Sequence, residues 1–201
     1  MKVRNLGLVA YEPTWRAMQA FNASRTPVTE DQLWLAEHPP VFTLGLAGRR
    51  EHVLAPGDIP VVATDRGGQV TYHGPGQAVA YALLDLRRLG IGAKELVRRL
   101  EQCAIDTLAN HGIAGERRPG MPGVYVAGAK IAAIGLRIAR GCSYHGLALN
   151  VAPDLEPFAR IDACGYPGLA STRMADLGVR DSMAAVQQEL ANRLEECLIP
   201  T

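Results

Sequence analysis

One cysteine and one lysine have the residue types and the local sequence that nucleophilic chemistry requires. Cys164 stands in a turn-like segment, and Gly165 directly after it frees the backbone beside the sulfur. A free thiol has a pKa of about 8.5 and is mostly protonated at neutral pH, so a reactive thiol needs a positive charge nearby. Lys130 is the cation before an apolar run, and a lysine beside a thiol can stabilise the thiolate or take its proton. From local sequence alone, a buried turn cysteine and a surface lysine beside a hairpin stay open as alternatives.

The other cysteines favour structural roles. Cys103 and Cys197 fall on the apolar stripes of two predicted helices, where a small, soft side chain packs well. The run Cys142-Ser143-Tyr144-His145 supplies half of a metal site, but no second half follows at suitable spacing. We therefore expect no metal.

Glycine and polar side chains are concentrated in the segment from Arg66 to Gln77. Gly67 and Gly68 let the backbone approach a ligand closely and offer its N–H groups. The segment is not a Walker A loop, and it does not open a helix as a dinucleotide fingerprint must. It predicts a binding loop, with a glycine-rich β-turn facing water as the alternative.

Two histidines stand at the ends of predicted strands, where they can line the same cleft. His38 ends one strand and His145 begins another. Each is either a supporting residue of a site or a hydrogen-bonded structural histidine.

The elements that position these residues alternate without a regular βαβ pattern, which favours an α+β fold with a mixed sheet flanked by helices. Apolar residues at helical spacing predict helices at 13–24, 93–111 and 183–197, the last opened by Asp181 or Ser182. Short β-rich runs between Pro and Gly predict strands at 31–37, 41–44, 61–64, 69–72, 78–84, 124–126, 130–138 and 146–151.

Length and charge exclude several classes of protein. The chain has 201 residues, 48% of them hydrophobic, which predicts a single domain over residues 1–201. Its 21 Lys+Arg and 20 Asp+Glu give a net charge of +1, which indicates neither nucleic acid nor a membrane as partner. Without an apolar run of signal-peptide length at the N-terminus, we expect a cytoplasmic protein.

Several motifs together resemble one known family. The segment from Arg66 to Gln77 is similar to the R-G-G-x-x-T-[YF]-H-x-P-G-Q signature of lipoyl(octanoyl) transferases, the octanoyltransferases of lipoate biosynthesis. Further stretches resemble the family in the same order along nearly the whole chain, namely 37–45, 123–126, 130–135, 145–151 and 164–165.

The resemblance implies a fold shared with biotin protein ligases and lipoate ligases, and a catalytic dyad that matches Cys164 and Lys130. Where the family commonly has proline before the nucleophile, this sequence has Ala163. The substrate pocket that the resemblance implies consists of Arg66, Gly67, Gly68, Gln69, Val70, Thr71, Tyr72, His73, Ala133, Ile134, Gly135, Gly146, Leu147 and Ala148.

The implied reaction is the first committed step of protein lipoylation, without ATP or metal. Octanoyl-acyl carrier protein would be the donor, and lipoyl domains of 2-oxo acid dehydrogenase E2 subunits and the glycine cleavage H protein the acceptors. The enzyme would be a monomer. A local basic rim could steer these acidic partners and includes Arg49, Arg50, Arg137 and Arg140.

Three other functions stay open at this point. An ATP-dependent lipoate ligase would share the fold and need no cysteine nucleophile. A non-catalytic acyl-protein adaptor would keep the pocket without performing transfer. A cysteine hydrolase would pair Cys164 with His73 or His145.

Overall fold

The computed structural model describes residues 1–165 and 168–198. Within these residues the α-helices are α1 (Tyr11–Ser24), α2 (Ala93–Asn110) and α3 (Met183–Leu198). The strands are β1 (Lys2–Leu8), β2 (Gln32–Glu37), β3 (Val41–Leu44), β4 (Val61–Ala63), β5 (Val70–His73), β6 (Gln77–Leu83), β7 (Glu116–Arg118), β8 (Met121–Val126), β9 (Ala129–Ala139) and β10 (Cys142–Asn150). Short 3₁₀ segments lie at Arg50–His52, Glu156–Arg160, Ala163–Gly165 and Met174–Leu177.

A seven-stranded mixed sheet forms the centre of the fold, in the order β1-β2-β6-β10-β9-β8-β7. Only the β1–β2 pair is parallel among these neighbours. Strands β6 and β10 are buried along their whole length, which fits their position in the middle of the sheet.

Alternating side chains of the central strands face two different helical layers. On one face, Ala80 and Leu149 pack with α2 and α3, for example against Leu100 and Leu194. On the other face, Val79 and its neighbours pack against α1. The period of two along a strand thus gives one core on each side of the sheet.

A smaller sheet in the order β4-β3-β5 carries the glycine-rich segment. Phe42 and Tyr72, opposite each other on β3 and β5, form its small core together with Ile161 and Ala163. The segment that bears Cys164 therefore rests on this sheet.

The α+β prediction is confirmed, and the predicted helices and strands are present with small shifts at their ends. Strands β1 and β7 are not predicted from the sequence, because both are edge strands whose residues are mostly exposed. Strand β10 begins at Cys142 instead of Gly146, because its polar first residues are buried between neighbouring strands. Of the two predicted caps of α3, Ser182 accepts the Ala185 N–H at 3.2 Å.

Candidate active site

Lys130 lies near the start of β9, and its side chain is buried. Its Nζ donates a hydrogen bond to the Pro122 carbonyl at 3.1 Å and lies 5.2 Å from the centre of the Tyr125 ring. The lysine amino group therefore occupies a defined position beside β8, in contact with a carbonyl dipole and an aromatic face.

The segment that carries Cys164 is fixed on both sides. Before the cysteine, the Asp162 N–H bonds the His52 carbonyl at 2.9 Å. After it, the Lys130 N–H bonds the Ala170 carbonyl at 2.8 Å, and the Thr172 N–H bonds the Lys130 carbonyl at 2.9 Å. The backbone of Lys130 is thus paired with the chain that leaves the cysteine turn.

Cys164 is the middle residue of the 3₁₀ segment Ala163–Gly165. Its side chain lies outside the described part of the structure, as do Tyr166 and Pro167. Gly165 has φ +72° and leaves so little room that a Cβ there would lie 3.2 Å from Cδ of Gln69. Gln69 also lines a cavity with Lys130. Gln69 therefore adjoins the cysteine turn and lines the same cavity as the lysine.

This cavity is small, with a volume of about 60 Å³. Twelve of the fourteen residues of the expected pocket line it, all except Gly67 and Tyr72. His145 and Lys130 line it as well. Three residues that the sequence did not indicate complete the wall: Tyr11, Val79 and Tyr81. The structure thus brings the separate motifs together around one space.

A second groove joins the cavity at Gln69, Lys130 and Ile134, which line both. The start of α2 forms its far side with Lys94 and Val97. A molecule bound in the cavity can therefore be reached at the lysine from a second direction.

Two residues of the expected pocket have other positions. Tyr72 packs against Phe42 and Phe158 in the core of the smaller sheet. Gly67 lines the second groove, and its N–H bonds the Leu136 carbonyl on β9 at 2.7 Å. Neither contacts the cavity itself.

Arg66 organises the glycine-rich loop from the inside. The buried guanidinium donates hydrogen bonds to the carbonyls of Thr43 at 2.6 Å, Gly67 at 2.9 Å and Gln69 at 2.8 Å. Gly45 directly follows β3. It must be glycine, because a Cβ there would lie 2.3 Å from the Gly68 carbonyl oxygen. The loop is a built part of the cavity wall and not a turn facing water.

His38 lies behind the cavity and supports one of its walls. Its Nδ1 contacts the Val9 carbonyl at 2.7 Å, and its Nε2 contacts the Tyr81 hydroxyl at 2.5 Å. Burial lowers the pKa of His38 to about 4, so the ring is neutral at pH 7 and accepts the Tyr81 proton at Nε2. Its role is to hold Tyr81 in place.

His73 and His145 face the cavity as neutral rings. Burial lowers both pKa values, and for His73 the nearby His38 and Arg66 act in the same direction. His73 stacks on Tyr11 with ring centres 5.5 Å apart. Neither histidine has a described contact with Lys130.

The four arginines of the expected rim are spread over two regions. Arg49 and Arg50 are exposed beside His52, whose carbonyl holds the cysteine segment. Arg137 lies on β9, and Arg140 bonds the Asn22 carbonyl at 2.8 Å.

In residues 1–165 and 168–198, no group of three or more His, Cys, Asp or Glu is arranged to hold a metal. Over the same residues, no helix is long and apolar enough to cross a membrane.

The fold is that of the catalytic domains of lipoate and biotin protein ligases. A bi-partite lipoate protein ligase from Thermoplasma acidophilum has a TM-score of 0.75 at 17% identity, covering 98% of this chain and 84% of that one. Biotin protein ligase from Aquifex aeolicus has a TM-score of 0.59 at 13% identity, covering 98% and 68%. At these identities the likeness concerns the fold alone.

The chain belongs to the lipoyl protein ligase A/B catalytic domain family, whose sequence profile matches residues 10–196. Among its relatives, the octanoyltransferase of Thiobacillus denitrificans is 62% identical over 98% of this chain and 90% of that protein. The octanoyltransferase of Cellvibrio japonicus is 61% identical over 94% of this chain and 89% of that protein. The family resemblance read from the motifs is confirmed.

Proposed function

We propose that this protein is an octanoyltransferase of protein lipoylation that works through a thioester of Cys164 with Lys130 as its activator. Family membership and relatives named octanoyltransferase at about 60% identity support the acyl group and the reaction class. The observation that carries the mechanism is the position of Lys130. Its buried side chain lies where the cavity meets the second groove, and its backbone is bonded to the segment that leaves Cys164.

The first half-reaction exchanges one thioester for another. The Cys164 thiolate attacks the carbonyl of octanoyl-acyl carrier protein, a C–S bond forms, and the carrier thiol leaves with a proton. Lys130, as the neutral amine, takes the proton of Cys164 before the attack and returns it to the departing carrier thiol, so it is neutral again for the second step. The two thioesters are similar in energy, so this step needs neither nucleotide nor metal.

The second half-reaction forms the product amide. The amine of a lipoyl-domain lysine attacks the acyl-enzyme, the Cys164 C–S bond breaks, and Lys130 accepts the proton that the amine loses. Because an amide is more stable than a thioester, the transfer runs forward without ATP. The second groove gives the incoming lysine a path to the carbonyl while the acyl chain fills the cavity.

The cavity suits the apolar chain of an octanoyl group. Burial of roughly six methylenes contributes about 5 kcal/mol at about 0.8 kcal/mol each. At that value, one methylene more or less changes selectivity only several-fold, so chain-length choice needs a closed end. Tyr11, Tyr81 and His145 at the cavity wall are candidates for that end.

The partners, location and assembly belong to the same proposal. Residues 1–201 would form one cytoplasmic, monomeric domain that meets acyl carrier protein and the lipoyl domains of E2 subunits or H protein in turn. Both partner classes are acidic, so Arg49, Arg50, Arg137 and Arg140 would assist association. A salt dependence of kcat/KM that does not change when these arginines are replaced would contradict that assistance.

The competing function is an ATP-dependent lipoate ligase, because a neighbour with this fold is a lipoate-protein ligase bound with ATP. A ligase activates a free acid and needs no cysteine. We favour transfer because the backbone of Lys130 is bonded to the segment that leaves the Cys164 turn, and because relatives at about 60% identity are octanoyltransferases.

The test is the intact mass of the protein after mixing with octanoyl-acyl carrier protein, without ATP or acceptor. We expect an octanoyl adduct on the wild type that hydroxylamine removes, no adduct on Cys164→Ser, and slow formation on Lys130→Ala. Cys197→Ser is the matched control, since this partly exposed cysteine on α3 should not matter. A folded wild type without any adduct would reject the covalent route.

A further inference from the structure

The peptide group between Pro122 and Gly123 connects Lys130 to a buried glutamate. Its carbonyl oxygen accepts the hydrogen bond from Lys130 Nζ at 3.1 Å. Its N–H donates to Oε1 of Glu101 at 3.1 Å. In a trans peptide the C=O and the N–H point in opposite directions, so the lysine and the glutamate lie on opposite sides of β8.

Glu101 is an unusual residue for a helix that looks amphipathic in sequence. It lies in the middle of α2 and is 7% exposed, whereas most helical glutamates are solvated. Its second oxygen, Oε2, accepts a hydrogen bond from Nε of Arg117 at 3.0 Å. Both carboxylate oxygens are therefore used, one by a cation and one by the backbone of β8.

The backbone at Gly123 is shaped for this contact. Gly123 has φ +132°, and a Cβ there would lie 2.5 Å from the Ala132 carbonyl oxygen and 3.2 Å from Lys130 Nζ. Only glycine allows β8 to pass so close to the lysine while its N–H faces α2. The strand also has an irregular register with β9 between Val124 and Tyr125.

We propose that Glu101 is a positioning residue for Lys130, acting through the Pro122–Gly123 peptide group. This inference rests on the proposed role of Lys130 in activating Cys164. Among the described residues, the Glu101 carboxylate bonds Arg117 and Gly123, and it fixes the peptide whose carbonyl accepts the hydrogen bond from Lys130 Nζ.

The physical basis is the charge-assisted hydrogen bond from the Gly123 N–H to the Glu101 carboxylate, at one end of the polarisable Pro122–Gly123 peptide group. A carboxylate that accepts the N–H draws the proton towards itself and increases the negative charge on the carbonyl oxygen. The bond from Lys130 to that oxygen becomes stronger and its direction more fixed. Since a misplaced catalytic group can cost about 10²-fold in rate, such fixation has a measurable effect.

The alternative is that Glu101 only stabilises the fold by bonding Arg117 and a buried N–H. A residue that acts through Lys130 has no further effect once Lys130 is removed, whereas a structural defect adds to the loss. The two roles therefore differ in a double-mutant cycle.

The experiment measures the rate of acyl-enzyme formation for Glu101→Gln and Glu101→Ala, in wild-type and Lys130→Ala backgrounds. Glu101→Gln keeps an acceptor for the Gly123 N–H without the charge, so it folds even where the alanine variant does not. Glu95→Gln is the matched control, because Glu95 on the same helix bonds only Arg98 and Arg99 among the described residues.

We expect Glu101→Gln to slow acylation about tenfold, and Glu101→Ala to slow it towards about 10²-fold, with KM for the acyl carrier protein unchanged. In the Lys130→Ala background either change should have an effect below about twofold. Equal slowing in both backgrounds, or rates that match Glu95→Gln, would overturn the proposal.

A second readout separates this inference from the proposed function. Alkylation of Cys164 by iodoacetamide needs no acyl substrate and reports thiol reactivity directly. Slower alkylation in the Glu101 variants, dependent on Lys130, supports the positioning role even where the wild type forms no octanoyl adduct. Alkylation that is independent of Glu101, on a wild type that does form the adduct, rejects the inference and leaves the transferase intact.

Discussion

His145 donates a hydrogen bond from Nε2 to Asp65 at 2.9 Å, and Asp65 in turn connects the cavity wall to Trp15 of α1. Asp65 also accepts the indole N–H of Trp15 at 2.7 Å and the hydroxyl of Tyr144. His145 has φ +63°, a left-handed conformation that is strained for a residue with a Cβ. The aspartate therefore holds a strained strand residue in the position where it faces the cavity.

Replacement of Asp65 by Asn should destabilise the protein by about 2 kcal/mol at pH 7, because hydrogen bonds to a charged acceptor are lost. Burial alone would raise the pKa of Asp65, but the bonds from His145, Tyr144, Gln19 and Trp15 hold it well below 3.8. Its contribution is thus present above pH 3.8 and is lost as the pH falls below that value.

Urea unfolding of both proteins between pH 7 and pH 3 tests this. The difference between wild type and Asp65→Asn should shrink below pH 3.8. Asp58→Asn, at an exposed position, serves as the control and should leave the free energy of unfolding nearly unchanged. A difference that grows on acidification would contradict the assigned network.

The chain length that the cavity accepts should depend on Ala148. Ala148 pairs with Ala133 across β10 and β9, and both line the cavity. Ala148→Leu adds three carbon atoms and should favour hexanoyl over octanoyl transfer by about 10- to 100-fold relative to wild type. The ratio of the two rates is the measurement, since partial unfolding lowers both equally. An unchanged ratio would place the acyl chain elsewhere.

Much of the site was predictable because its motifs are local. The glycine-rich segment, the hairpin before Lys130 and the Gly146–Ala148 strand each have a recognisable sequence pattern, and β9 and β10 bring two of them into register. The pairing Gly146 with Gly135 follows directly from a hairpin with a short turn.

The site residues that the sequence does not indicate are brought to the site by packing between elements that are distant along the chain. Tyr11 reaches the cavity only because α1 packs across the sheet and places its ring on His73. Glu101 has no local signal, since a glutamate in an amphipathic helix is ordinarily solvated. Its carboxylate is bonded by the Gly123 N–H of β8, a contact that no pattern of hydrophobicity encodes.

Gly123→Ala should be among the most damaging single substitutions. The added Cβ would meet the Ala132 carbonyl oxygen at 2.5 Å, and a positive φ adds strain, so we expect a loss of about 3 kcal/mol. Gly120→Ala is the matched control: it also has a positive φ but nothing within 4 Å, and should cost about 1 kcal/mol. Chemical denaturation measures both. Equal losses would mean that β8 moves freely away from β9.

The buried histidines should make the protein less stable in mild acid. Burial lowers the pKa of His38 from 6.5 to about 4 and lowers those of His73 and His145 as well. In this pH range the histidines of the unfolded chain are protonated, whereas those of the folded chain stay neutral. The free energy of unfolding therefore falls as the pH drops from about 6.5 towards 4. For His38 alone the loss is about 3 kcal/mol at the acid end.

His38→Asn, which lacks the titrating ring, should be less stable than wild type at pH 7 but lose less on acidification. The two free energies of unfolding should therefore converge near pH 4. Denaturant titrations in steps from pH 7 to pH 4 measure this convergence, and parallel curves for the two proteins would show that His38 is not a buried neutral histidine.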